Sequence, residues 1–443
     1  PWVPVGGYFA RAFAASSRHS VWLGTMARPP RGPASRRLSS CVSGGYDWLV
    51  VGAGPCGIVS VAALLRRGRR VAWVDPDFAQ VGAGPCGIVS VAALLRRGRR
   101  VAWVDPDFAQ VGRLGQRYRC VPGNTKVAKF LAGFRSLPSL NFEGSQAKRQ
   151  ALGQRTVSDM GLDKTCELGL CADALEDGAQ ALLCSGAVRG LEARVVALKK
   201  EEAQDELWHA SVGEDGRLRE VSARNVLLCT GGVPREPSSA SASAQLVIKS
   251  VAHDDVVAID RLAALLEREP VFRSMRWGVV GGSHSGMVAA MNLTTQGVAN
   301  VTVFCSRALR LAEEREGGKW IKWDGSGLKG LVAEWARDLP TSVSLRGRWP
   351  QSCGPEPPQV LVHCTGFSRA PTPPVLLNGE PQDLATRSYC RTYGSLQGLP
   401  GLFGAGLGFP QEYQDPEGHI ETCVGFVPFF IEHVDRIATA AES

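Results

Sequence analysis

Three observations predict an α/β chain of two doubly wound, parallel-sheet domains, one inserted into the other. A buried-strand pattern enters the glycine-rich turn VGAGPCG at Val51. A second enters GGSHSG at Gly281. Each turn is followed by an apolar helix pattern and then by another short strand.

In the first unit Asp47 to Val51 reads as a strand that delivers the chain into Gly52, Gly54 and Gly57, spaced G-x-G-x-x-G around Pro55 and Cys56. Gly52 permits the tight turn, Gly54 leaves room for a pyrophosphate beside the backbone, and Gly57 lets the helix pack closely on the strand. The helix, carried by Ile58, Val61, Ala62 and Leu65, offers its N-terminal amides to phosphates. Val71 to Val74 forms the next strand and ends at Asp75, an acid placed to accept hydrogen bonds from ribose hydroxyls. Strand, loop, helix, strand and terminal acid together define a dinucleotide site; the glycines alone would not.

Residues 51–80 recur without change at 81–110. Two identical copies are not a solenoid, whose units drift in sequence and need at least three stacked members. Copy one follows YDWLVV, a good central strand. Copy two follows DPDFAQ, whose Pro76, Asp77 and Gln80 make a poor one. Copy one is therefore expected to bind the nucleotide and copy two to lie beside the sheet as an insertion. The reverse assignment stays open, because copy two is the one joined to the downstream chain.

The second unit runs from strand Trp277 to Val280 through Gly281, Gly282, Ser283 and Ser285 to Gly286, which opens a helix. Ser283 replaces the middle glycine and is small enough to leave space for a phosphate. GSHSG is not a nucleophile elbow, since its central residue is His284 and not serine. Helix residues Met287, Ala290 and Leu293 recur at helical spacing, Gly297 caps, and strand Val301 to Phe304 follows. Where an NAD site places an acid, this chain has Ser306 and Arg307, which suit a 2′-phosphate. NADPH is expected here in preference to NADH.

Between the two units, LWHASVGEDGRLREVSARNVLLCTGG reads as a hairpin turning at Asp215 and Gly216, then a strand into Cys229, Thr230 and Gly231. After the second unit QVLVHCTGF repeats that exit at Thr365 and Gly366. With both units and both exits, the chain from about Tyr46 onward resembles the two-dinucleotide-domain flavoproteins, a superfamily that includes flavin-dependent monooxygenases and pyridine nucleotide-disulfide reductases. The resemblance implies two Rossmann-like dinucleotide-binding domains, the NADPH domain inserted into a discontinuous FAD domain that carries a β-meander. FAD-binding segments are then expected at 46–265 and 366–443, with the NADPH domain at 266–365. No F-x-G-x-x-x-H segment lies between the domains. LFGAGLGFP lacks the aspartate that many relatives place against the flavin, which leaves the amides of Gly404 and Gly406 in that role.

The resemblance also implies the chemistry: NADPH passes hydride to FAD, and the reduced flavin reacts with O2 to a hydroperoxide that oxidises a small molecule. Alternatives are a flavin reductase that passes electrons to a disulfide, a quinone or a protein partner, and a degenerate cofactor-binding protein without activity. Asn124 and Lys126, in VPGNTKVAKF, fall where family members approach the flavin ring and are the candidate catalytic residues.

Composition narrows the remaining classes. Of 443 residues 44% are hydrophobic and 21% charged, ordinary for a folded chain, and no apolar run is long enough to span a bilayer. The net charge of +8 is not a nucleic-acid footprint, because Arg11, Arg18, Arg28, Arg31, Arg36 and Arg37 precede the first acidic residue, Asp47. Residues 1–45 have the Arg-, Ser- and Ala-rich makeup of a transit peptide, which would place the protein in a mitochondrion or plastid, or of a disordered basic tail, which would leave it in the cytoplasm. Histidines are dispersed and no Cys/His spacing fits a metal. Thirteen scattered cysteines indicate free thiols. Cys166 and Cys171 have the spacing of a redox pair but lie in an amphipathic helix pattern, as ordinary buried thiols would.

Overall fold

The computed structural model describes residues 46–51, 71–74 and 101–104, the chain from 111 to 423 apart from short stretches (138–139, 185–187, 192, 202–206, 215–216, 229, 236–248 and 317–318), and residues 433, 436, 437 and 440. The N-terminal segment 1–45, the loop residues Gly52, Gly54, Pro55, Cys56 and Gly57, and Asp75 lie outside the described residues.

The first half of the chain contributes β1 (Tyr46–Val51), β2 (Val71–Val74), β3 (Val101–Val104), α1 (Gly112–Arg117), β4 (Pro122–Lys126), α2 (Val127–Arg135), α3 (Phe142–Ala151), β5 (Thr165–Glu167) and α4 (Leu168–Cys184). It continues through β6 (Val188–Leu191), β7 (Arg194–Lys200), β8 (Trp208–Glu214), β9 (Arg217–Leu228) and β10 (Gly232–Pro234). β7, β8 and β9 form the antiparallel meander, with Glu214 registered on Arg217 across the expected hairpin. The far end of β9 pairs parallel with β1, Val51 opposite Leu228, so one long strand belongs to both the meander and the parallel layer. Trp208, fully buried in the meander, donates from Nε1 to the Pro400 carbonyl at 3.1 Å, which satisfies its one polar atom.

The duplicated segment departs from expectation. β3, the strand of copy two, is not beside the sheet but within it, paired parallel with β2 from Val71↔Val101 to Val74↔Val104 and with β6 on its other side. The physical reason is that VAWV is the same strand-forming sequence in both copies, and an open parallel sheet can accept one more strand between β2 and β6. β1 keeps the place expected of it. It lies between β2 and β9, where the sheet reverses its order of growth.

The second unit is a five-stranded parallel sheet. Its elements are β11 (Lys249–Val251), α5 (Asp254–Val257), α6 (Ile259–Arg268), β12 (Trp277–Val280), α7 (His284–Thr295) and β13 (Val301–Phe304), then β14 (Glu313–Glu314), β15 (Trp320–Ile321), α8 (Gly330–Arg337), β16 (Val343–Arg346) and β17 (Val360–His363). The strand order is β11-β17-β12-β13-β16. Trp277, Val279, Met287, Leu293, Val303 and Val362 meet in its core. Asn292 on α7 is buried and donates to the Val256 and Val257 carbonyls at 3.0 and 2.9 Å, so the last turn of α5 keeps no orphaned acceptor there. β11 and α5 lie upstream of the seam expected at 266 yet pair and pack within this sheet. The chain then returns through β18 (Phe367–Arg369), β19 (Val375–Leu377), β20 (Glu380–Gln382), β21 (Leu402–Gly404), β22 (Gln411–Gln414) and β23 (Ile420–Cys423); β19 and β21 rejoin the first sheet on β7 and β9. No helix among the described residues is long and apolar enough to cross a membrane.

A buried ionic cluster fastens α1 to the second unit. Asp254 accepts from Arg113 Nη2 and from the Tyr118 hydroxyl, both at 2.7 Å, and lies 3.2 Å from His253 Nδ1. Burial alone would raise its pKa. The hydrogen bonds from His253, Tyr118 and Arg113 outweigh burial and hold the carboxyl below the ordinary carboxylate range. A carboxyl depressed on folding adds stability above its unfolded pKa, which is lost as pH falls through the folded value. Asp254→Ala is therefore expected to lower unfolding free energy at neutral pH by about 3–5 kcal/mol, the cost of orphaning a buried partner. Denaturant melts should show this deficit shrinking below about pH 4, the unfolded carboxyl value; a deficit unchanged down to acid would contradict the charge account.

Candidate active site

The second glycine turn is fixed by sterics. Gly281 follows β12 at φ +121°, and a Cβ there would fall on the Cys364 carbonyl oxygen of the neighbouring strand exit. A Cβ at Gly286 would fall on the Gly281 carbonyl oxygen, and one at Gly282 on Cys305 Sγ. Neither turn nor helix start tolerates a side chain at these positions. Ser283 stands at the N-cap of α7 with ordinary φ, and its hydroxyl makes no capping hydrogen bond, so the first-turn amides at His284, Ser285 and Gly286 are disposed for a phosphate.

β13 ends in register with Val280, and the chain beyond it carries Ser306 and Arg307 to the rim of a cleft of about 360 Å³ lined by Cys305, Ser306, Arg307, Leu309, Leu345 and Arg346. No motif in the sequence marks Arg346. It arrives because β16 pairs parallel with β13, Phe304 opposite Arg346. Both arginines are exposed, and among the described residues neither forms an ion pair. Two guanidinium groups at one cleft are the donor set that could hold a dianion.

The two threonine-glycine exits, far apart in sequence, meet in space. Thr230 and Gly231 follow β9, and Thr365 and Gly366 follow β17; β10 and β18 then pair antiparallel, Gly232 opposite Arg369. Gly231 (φ +75°) accepts from the Ala370 amide at 3.1 Å, while Gly366 (φ +96°) accepts from the Arg235 amide at 3.0 Å. The hydroxyl of Thr230 is buried without a partner, as are Nε and Nη1 of Arg113. Buried orphaned polar atoms of this kind fit a bound polar group that completes them. LFGAGLGFP packs on this exit, since a Cβ at Gly408 would fall on the Gly231 carbonyl oxygen. The amide of Gly404 donates to Gly394 at 2.8 Å, so it is committed within the chain and cannot take the role expected for it; Gly406, at φ +91°, starts the tight turn closed by Phe409.

β4 brings the candidate catalytic segment against the second glycine turn. His284 lies 3.3 Å from the Pro122 carbonyl through Nε2, and its Nδ1 is buried without a partner. Burial lowers the His284 pKa, so the neutral ring donates from Nε2 and presents Nδ1 as an acceptor. Asn124 is exposed on the same strand. Lys126 Nζ is 2.6 Å from Glu314 on β14 and 5.6 Å from the centre of the Trp320 ring on β15, so its ammonium is held at the second unit. Arg113, Tyr118, His253 and Phe367 also gather here, the His253 ring standing edge-on to Phe367 at 5.4 Å.

Set beside known proteins, the chain matches the pyridine nucleotide-disulphide oxidoreductase family over residues 76–321, a span that takes in copy two of the glycine loop and the second turn. It is 31% identical over 433 residues to "Monooxygenase AgnR1" of Paecilomyces divaricatus, covering 87% of this chain and 96% of that protein. Among solved structures it resembles a flavin-containing monooxygenase from Stenotrophomonas maltophilia (15% identity, TM-score 0.51, 90% of this chain and 99% of that one). It also resembles an ornithine N-hydroxylase of Kutzneria sp. 744 described with FADred, NADP+ and L-orn (16% identity, TM-score 0.51, 90% and 99%). The chain belongs to the pyridine nucleotide-disulphide oxidoreductase family and is a flavin-dependent oxidoreductase.

The sterics of the turn can be read directly. Gly286→Ala must displace backbone and is expected to destabilise the second sheet by about 1–3 kcal/mol, as overpacking does. Ser283→Gly, which restores the stricter spacing, should change stability by less than about 1 kcal/mol. Equal melting temperatures for Gly286→Ala and the parent by circular dichroism would refute the close-packed turn.

Proposed function

We propose that the protein is an FAD- and NADPH-dependent monooxygenase acting on a small molecule. The observation that carries this reading is that both strand exits and β4 converge. Thr230 and Thr365 turns are joined by the β10–β18 pair, and His284 of the second turn touches Pro122 of β4. Two dinucleotides held at those turns would meet beside Asn124.

FAD falls to the first unit, with Gly52, Gly54, Pro55, Cys56 and Gly57 against the pyrophosphate, Asp75 at the ribose, and Thr230 and Gly231 at the strand exit. Copy one is favoured over copy two because β1 sits where the sheet order reverses, and ligands of such sheets bind outside the carboxyl ends of strands at that point. NADPH falls to Gly281, Gly282, Ser283, Ser285 and Gly286, with Thr365 and Gly366 at the exit and Ser306, Arg307 and now Arg346 around the 2′-phosphate. When bound, the flavin supplies two-electron exchange with a nicotinamide and the reduction of O2 for insertion of one oxygen atom. The chain's own part is to bind, orient and shield: Arg307 and Arg346 anchor the far end of the dinucleotide, α7 presents amides to its phosphates, and His284 Nδ1 offers an acceptor near β4. Lys126, paired with Glu314, ties β4 to the second unit and positions that segment. The relatives that are monooxygenases support oxygen insertion, and the ornithine N-hydroxylase supports a nitrogen centre as the oxidised group.

Two measurements check this reading. Arg307→Ala and Arg346→Ala should each lower kcat/KM for NADPH by roughly 10- to 100-fold, the loss of a charge-assisted hydrogen bond of about 1.5–3 kcal/mol, and leave NADH turnover unchanged. An equal loss with both nucleotides would refute the 2′-phosphate role. For the duplicated loop, Gly54→Val should purify without FAD while Gly84→Val retains it, and equal loss of flavin would sink the choice of copy one.

A further inference from the structure

Cys166, on β5, and Cys171, in the first turn of α4, are 4% and 0% exposed and lie with their sulfurs 4.0 Å apart. Neither has a part in the proposed function. Both are free thiols in the structure, and the separation exceeds a disulfide bond of about 2.05 Å by roughly 2 Å. One of the two must therefore move for a bond to form. Cys171 is held inside α4 by buried Ala172, Leu175 and Ala179, and the helix start is pinned by the Leu168 and Gly169 amides to Val121 and Arg119 at 3.0 and 2.8 Å. β5 is three residues long and pairs with β4 through an irregular register, from Pro122↔Glu167 to Lys126↔Thr165. It is the softer partner. A Cβ at Gly123 would lie 2.8 Å from the Cys166 carbonyl, and one at Gly330 on α8 would lie 2.8 Å from the Thr165 side chain, so β5 is wedged between β4 and the second unit.

We propose that Cys166 and Cys171 are a reversible redox-modification site, closed to a disulfide by hydrogen peroxide, that shifts β5 and thereby loosens β4. The Cys166 thiolate attacks the peroxide, the O–O bond breaks, one water leaves and a sulfenic acid forms. The Cys171 sulfur then displaces a second water to form the S–S bond. Two thiols lose two electrons and two protons, and one peroxide is reduced to two waters. The hydrogen bond with Cys171 lowers the Cys166 pKa while burial raises that of Cys171, which makes Cys166 the attacking sulfur. This site stands independently of the monooxygenase reading.

Trypsin cuts after Lys164 and Arg189, so one peptide holds Cys166, Cys171 and the exposed Cys184. The full chain is reduced, treated with hydrogen peroxide, denatured and alkylated, and that peptide is weighed. The reduced control should carry three alkyl groups; the oxidised sample should carry one, at Cys184, and be two hydrogens lighter, and dithiothreitol should restore the first pattern. Three alkyl groups after peroxide, or a crosslink through Cys184, would overturn the site. In Cys171→Ser, dimedone should add at Cys166; addition at Cys184 alone would contradict the assignment of the attacking sulfur. Hydrogen exchange of the β4 amides should speed up by about tenfold on oxidation of the unmodified chain. Unchanged exchange in protein shown to carry the disulfide would overturn the coupling to β4.

Discussion

The turn from Gly281 to Gly286 is the constraint on which the arrangement of the second unit rests. The carbonyl oxygens of Gly281 and Cys364 occupy the space that a Cβ at Gly286 or Gly281 would need, so β12, α7 and the exit of β17 can approach only as glycine permits. That approach has three consequences. It aims the N-terminus of α7 across the carboxyl ends of β12 and β17. It brings Cys364, two residues before Gly366, to the level of Gly281, because Val280 and His363 are registered partners. It also sets His284 against Pro122, which fixes where β4 stands.

The first unit shows the same logic with a complication. Copy two has entered the sheet as one more parallel strand, so the duplication lengthens the layer without interrupting it. What distinguishes the copies is position. β1, which leads to copy one, faces β9 and the Thr230 turn on one side and β2 on the other, whereas β2 and β3 are interior strands of a continuous run in one direction.

Much of this was legible in the sequence. Trp277–Val280, Val301–Phe304 and Val71–Val74 agree residue for residue with expectation, since short runs rich in valine and aromatic residues leave little freedom at their ends. The meander and both threonine-glycine exits were also readable from local pattern. What sequence could not give is contact between elements. Arg346 joins Arg307 only through parallel pairing, and Arg113 meets Asp254 across 141 residues. Lys126 is a candidate at the flavin by its place in VPGNTKVAKF, while its partner Glu314 sits on a two-residue strand that no periodicity announces. Copy two pairs within the sheet because its own VAWV, and not the DPDFAQ entrance before it, determines its pairing.

The central claim is that two dinucleotide sites, one on each sheet, meet at β4 closely enough to exchange electrons. Anaerobic titration of the purified full chain with NADPH, followed by flavin absorbance, tests it most directly. Stoichiometric bleaching of bound flavin is expected. A bound flavin that NADPH and NADH both leave oxidised would contradict it.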